Sequence, residues 1–304
     1  MSGKLFQKDE IPTVPIRADL AVYVQKAIVK ELLDKYPDLE YLCIGSVGKK
    51  KDDDFNGDID IAIKVKDYDE LLNIIYEVFS YSSIVESKSL YIVSIKYPYK
   101  DIFDNNAIKY VAVDFIQSAD INYTAFRYFC PDYRSNESKY KVGAKIMYAN
   151  SILNHCKERF EGVDKNRLSS LSFNPLGLYK CISKINSNGL IQFEKEEFLT
   201  NIPSEIAGMC FKDSDVSRFN SIETLWDSIH SDTYKYPEEV KSLEVSLFAN
   251  SYRKYWDGVI NPEDFKLTYW TPEQIHYIID KKYAKERQIN EYIDYLVDKN
   301  KART

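Results

Sequence analysis

The spacing of apolar residues changes several times along the chain, and each change marks an element. From Asp19 to Tyr36 they fall at Leu20, Val22, Val24, Ile28, Leu32 and Leu33, near helical period, which predicts an amphipathic helix. YPDLEYLCIGS (36–46) reads as a turn, a strand and a tight turn. IDIAIKV (59–65) alternates and is rich in Ile, as a strand with one buried face would be. DYDELLNIIYEVF (67–79) returns to helical period with Asp67 as its N-cap. SLYIVSIKY (89–97) and KYVAVDFIQ (109–117) read as strands. The second is apolar on both faces and is expected to be central in its sheet. The order helix, strand, strand, helix, strand, strand predicts a small mixed sheet with packed helices, an α+β module.

Beyond this module the texture changes. FCPDYRSNES (129–138) is polar and holds Pro131, so it reads as a linker. Helical patterns follow at 139–160, 174–185, 217–230, 237–256 and 271–299. Asn174 is expected to cap the second of these, with Pro175 at its first helical position. The layout expected is an α+β domain over 1–135 and a mainly α-helical domain over 136–304.

Composition narrows the function classes. The chain has 304 residues, 44% hydrophobic and 14% aromatic, which is a packed protein and not a disordered one. Its net charge of -6 argues against a surface built for bulk nucleic-acid binding, though it leaves room for a local basic groove. No stretch has the apolar length of a membrane span, and MSGKLFQKDEIP lacks the apolar core of a signal peptide. The five cysteines are scattered, with no C-x-x-C, so reduced thiols and a cytoplasmic location are expected. The three histidines have no zinc-site spacing.

Chemistry concentrates in DDDFNGDIDIAIKV (52–65), with five aspartates in nine residues. Asp52, Asp54, Asn56 and Gly57 match the first half of an EF-hand calcium loop. The bidentate Glu that closes such a loop is replaced by Ile63, and a strand follows where a helix is needed. Asp52, Asp53 and Asp54 are therefore expected to be exposed loop acids. Asp58 and Asp60 behave differently. At i and i+2 of a strand they point to one face while Ile59 points to the other. Two carboxylates held side by side call for a divalent cation, and Mg²⁺ suits a site of one or two carboxylates plus substrate phosphates. Asp114, inside the apolar run VAVDFI, is costly to bury without a partner and becomes a third ligand if its strand lies beside the first pair. Gly45-Ser46, in a tight turn after a strand, offers backbone N–H groups and a hydroxyl to phosphate oxygens.

The succession IGS (44–46), GDIDIAI (57–63) and a later Asp in a strand resembles the DNA polymerase β-like nucleotidyltransferase superfamily over residues 40–117. The resemblance implies a nucleotidyltransferase core. Gly45 and Ser46 would hold the triphosphate of an NTP, Asp58 and Asp60 would bind two Mg²⁺ ions (or Mn²⁺), and Asp114 would bind one of them. Members of the superfamily often supply a lysine from a helix after the third acid, which points to Lys141 and Lys145, four residues apart on one helical face. A solvated basic face is the plainer reading of that helix, and a mobile solvated run the plainer reading of Lys49, Lys50 and Lys51. The acceptor stays open between an RNA 3′ end, a small molecule and a protein hydroxyl, beside a non-enzymatic nucleotide-binding protein. Lys139 to Arg159 carries five basic residues and one acid, and Lys281 to Thr304 seven basic and four acidic, which favours RNA mildly.

Overall fold

The computed structural model describes residues 6, 9–129, 142–156, 167–185 and 191–244. The chain divides into two compact units, Met1–Glu137 with Asn174–Gly177, and Ser138–Phe173 with Leu178–Thr304.

The first unit runs β1 (Ile16–Arg17), α1 (Ala18–Lys35), β2 (Tyr41–Ile44), β3 (Phe55–Asn56), β4 (Asp58–Lys64), α2 (Tyr68–Val78), β5 (Ile84–Ser87), β6 (Ile92–Asp101), β7 (Ala107–Ser118) and α3 (Ile121–Tyr128). Five of its strands form one sheet in the order β2-β4-β7-β6-β5. β4 and β7 are parallel, and the other neighbours are antiparallel. The sheet is thus mixed, and β7 is its central strand as its two-sided apolar sequence predicts. Asp67 caps α2 as expected, accepting a hydrogen bond from the Glu70 amide. The strand expected at 89–97 starts later and runs further. Lys88–Leu90 is a short 3₁₀ turn, and Tyr91 takes a left-handed conformation before β6 begins.

Alternation explains how this sheet lies. Ile59, Ile61 and Ile63 of β4 join Val93 and Ile95 of β6 and Val111, Val113 and Phe115 of β7 in one core with the buried stripes of α1 and α2. Each of the three isoleucines is fully buried, worth about 1.5–3 kcal/mol apiece. A slip of one residue in β4 would turn them outward and push Asp58 and Asp60 into the core, so the register is strongly specified. Phe79 stacks on Phe115 at 5.4 Å between ring centroids and closes this core. On the other face Ile44, Ala62 and Ile116 form a smaller cluster with Tyr128 of α3. Helix α3 thus covers one part of that face, beyond the part that carries the aspartates.

The N-terminus of α3 is fixed by Asp120, whose carboxylate accepts from the Tyr123 amide at 2.8 Å. Asp120→Ala is expected to cost about 1 kcal/mol of stability. Urea unfolding checks this, and an unchanged midpoint would count against the cap.

The second unit contains α4 (Val142–Leu153), all but one end residue each of β8 (Arg167–Asn174) and β9 (Gly177–Ile185), β10 (Ile191–Thr200), α5 (Pro203–Cys210) and α6 (Ile222–Ile229). Among the described residues of this unit the expected helices are joined by a sheet that the sequence pattern does not predict, since β8, β9 and β10 form a three-stranded antiparallel sheet. Residues 174–185 are the turn and second strand of its hairpin, not a helix. Asn174 accepts from the amides of Leu176 and Gly177 and so closes a tight turn instead of capping a helix. A short apolar run of this kind fits both periods, and flanking turn residues decide between them. The helix expected at 217–230 is present as a 3₁₀ turn (Val216–Phe219) followed by α6, which Ser221 and Thr224 open with a reciprocal capping box. In the 237–256 segment, residues 237–244 are helical turns and the remainder is outside the described residues. The expected helix at 271–299, the linker from residue 130 onward and the basic tail are also outside them.

Candidate metal centre

The connection from β2 through the short β3 ends at the start of β4, which leaves Asp58 and Asp60 on the face away from the main core. Across the parallel β4–β7 ladder, Asp60 stands directly opposite Asp114. Adjacent strands lie about 4.8 Å apart, so a third carboxylate is brought to the first two by register alone. Ligand oxygens of Asp58, Asp60 and Asp114 all lie within 4.8 Å of one another. Among the described residues this is the one group of acids, histidines or cysteines with that geometry. Asp52, Asp53 and Asp54 are not part of it. The carbonyls of Asp52 and Asp54 accept hydrogen bonds from the amides of Asp19 and Ala18, which ties their loop to the start of α1. Lys50, on the same loop, reaches the carbonyl of Phe55.

The electrostatics match the geometry. Burial pushes the Asp60 carboxyl well above the usual carboxylate range, and the charges of Asp58 and then Asp114 push it further. Asp114 is buried, with 6% of its surface exposed. Three carboxylates this close are poorly tolerated alone, and a divalent cation removes the repulsion. The donor set is all oxygen, as hard cations such as Mg²⁺ and Mn²⁺ require.

Gly45 follows β2 in a left-handed turn with φ of +77°. A Cβ at this position would lie 2.1 Å from Oδ2 of Asp60. The main chain of the turn therefore touches the carboxylate, and only glycine allows that approach. Ser46 donates to Oδ1 of Asn56 at 3.2 Å. Asn56 is fully buried and paired with Ile16 in the small β1–β3 ladder. The tight turn, the paired acids and the third acid that the sequence singles out are thus brought together in one place.

The lysines differ in outcome. Lys145 lies on α4 in the second unit and is 1% exposed, which is not the environment of a solvated basic face. Lys141 is outside the described residues.

Sequence reasoning missed Ser94. It lies on β6 directly opposite Asp114 and donates to its Oδ1 at 2.6 Å, both groups buried. The second Ser of SLYIVSIKY, set among apolar residues, was the available signal, but its partner depends on a register that only the folded sheet reveals.

No protein-family model matches the chain, and no curated protein matches it. Among solved structures, a chain of Leishmania infantum polymerase beta in a ternary complex is similar with a TM-score of 0.36 at 11% identity. The match covers 57% of this chain and 59% of that one. The functional reading below rests on the geometry of the three aspartates and the Gly45 turn. No helix among the described residues is long and apolar enough to cross a membrane.

Proposed function

We propose that the first unit is a metal-dependent nucleotidyltransferase that moves an NMP from an NTP to an acceptor hydroxyl and releases pyrophosphate. One observation carries this reading. Three carboxylates close to within 4.8 Å on adjacent strands, beside a glycine turn whose main chain touches one of them. Two divalent cations at such a site, Mg²⁺ or Mn²⁺, would supply activation of the acceptor oxygen and neutralisation of the leaving phosphates.

The chain's own residues then have distinct tasks. Asp58 and Asp60 would hold the cations from one strand, and Asp114 from the neighbouring strand, where it would take the acceptor's proton. The Gly45 turn presents main-chain N–H groups, and Ser46 a hydroxyl, to the triphosphate. The acceptor oxygen forms its bond to the α-phosphorus as the bond to pyrophosphate breaks. An RNA 3′ end is the acceptor we favour, on the basic content of 139–159 and 281–304.

The test is incubation of the full chain with each labelled NTP, Mg²⁺ and total cellular RNA, with and without chelator. Label is expected in a macromolecular product only when the cation is present. Label in small molecules or protein would keep the reaction and change the acceptor. Absence of label in every fraction with every NTP would overturn the enzymatic reading.

A further inference from the structure

We propose that Ser94 is a positioning residue of the acidic site, holding Asp114 in the orientation that completes the triad before any cation arrives. The inference rests on the reading of the triad as a metal site, and on nothing about the acceptor.

Asp114 stands opposite Asp60 across β4–β7, with Asp58 on the same face, and its oxygens lie within 4.8 Å of theirs. Left to itself, a carboxylate in this position gains by rotating about χ1 and χ2, away from its two neighbours. Ser94 opposes that rotation. The β6–β7 register sets Ser94 and Asp114 side by side on one sheet face. The hydroxyl reaches Oδ1 at 2.6 Å, with both side chains buried. Hydrogen bonds to a charged acceptor are roughly twice as strong as neutral ones, and burial strengthens them further.

The local sequence shows that this serine is not filler. Its strand neighbours Val93 and Ile95 point to the opposite face and into the main core. On its own face the next ladder pair, Ile92 with Ile116, is apolar. Ala or Val would pack at position 94 with no polar atom to satisfy. A fully buried hydroxyl there is economical only because it has the Asp114 carboxylate to donate to. The bond from Ser94 to Oδ1 disfavours rotations of the carboxylate that would break it. Groups that orient a metal ligand in this way typically change metal affinity or activity about 10–100-fold when removed.

The experiment is Mn²⁺ titration of the metal-free full-length chain by electron paramagnetic resonance, without nucleotide. Four forms are compared: the parent, Ser94→Ala, Asp114→Ala and the double variant, each checked for fold by circular dichroism. Ser94→Ala is expected to weaken Mn²⁺ binding about tenfold or more. It should cause no further loss once Asp114 is already alanine, because the serine acts through that carboxylate. Ser94→Thr keeps the hydroxyl and is expected to bind within about threefold of the parent, well inside the 10–100-fold effect of removal. It also keeps the test open if the alanine variant fails to fold. Parent-like Mn²⁺ affinity in Ser94→Ala would overturn the role of Ser94 while leaving the metal site intact, as would an equal loss in the Asp114→Ala background. Failure of the parent itself to bind Mn²⁺ would overturn the metal site, and this inference with it.

Discussion

Asp60→Asn is expected to lower metal-dependent nucleotidyl transfer by roughly a thousandfold, the loss of several kcal/mol at about 1.4 kcal/mol per decade. The same substitution is expected to stabilise the metal-free protein. Both effects have one cause. Asp60 lies between Asp58 on its own strand and Asp114 on the next, and its carboxyl is held well above the usual range by burial and by those two charges. An acid whose pKa is raised on folding keeps its proton in the folded chain at pH values where the unfolded chain has lost it. Folded stability therefore falls as pH rises from the ordinary carboxylate range through the raised folded value. The amide of Asn carries no such charge and is nearly the same size. Thermal melts in chelator should show the parent losing stability as pH rises through that window and Asp60→Asn losing less. Mg²⁺ should then raise the melting temperature of the parent and not of the variant. Full transfer activity in Asp60→Asn would sink the proposed mechanism. An identical pH dependence of stability in both proteins would sink the account of the repulsion. Asp58→Ala is expected to abolish transfer as well.

Much of the first unit was legible because its elements have single-period patterns. The helices α1 and α2 and the strands β2, β4 and β7 lie where the apolar spacing predicts, within a few residues. The aspartate pair was legible because side-chain direction in a strand follows from parity alone. What parity cannot supply is register between strands distant in sequence. That Asp114 faces Asp60 was an expectation drawn from the cost of an unpaired buried acid and from resemblance. That Ser94 faces Asp114 had no comparable warning. The close approach of Gly45 to Asp60 was hidden for the same reason, since a glycine in a turn announces a conformation but not a neighbour. The second unit was misread where short apolar runs serve two periods. Ile191–Thr200 is exposed along nearly all of its length, with its apolar residues among the exposed ones, so its strand is set by pairing with β9 and not by any buried stripe of its own.

Gly45→Ala separates the contribution of a close contact from that of backbone strain, because the chain provides its own control. Gly45 and Gly48 both adopt left-handed conformations, with φ of +77° and +78°. Alanine at either position carries a similar conformational cost, about 1–2 kcal/mol. Their surroundings differ. A Cβ on Gly48 meets nothing within 4 Å, whereas on Gly45 it would overlap Oδ2 of Asp60 at 2.1 Å and crowd its carboxyl carbon at 3.0 Å. The contact cannot be relieved without moving either the turn or the carboxylate. If the turn moves, the proposed phosphate cradle is displaced, and if the carboxylate moves, the triad opens. A misplacement of about 1 Å at a reacting centre costs on the order of a hundredfold in rate. Gly45→Ala is therefore expected to lose about two decades of transfer activity and to weaken Mn²⁺ binding. Gly48→Ala should lose comparable stability and keep both. The comparison is read from urea midpoints, Mn²⁺ titration and transfer rate on the same preparations. If the two variants lose activity equally, strain in the loop is the cause and the contact with Asp60 is not. If Gly45→Ala alone loses activity and Mn²⁺ affinity together, the glycine is retained there because the metal-binding carboxylate occupies the space a side chain would need.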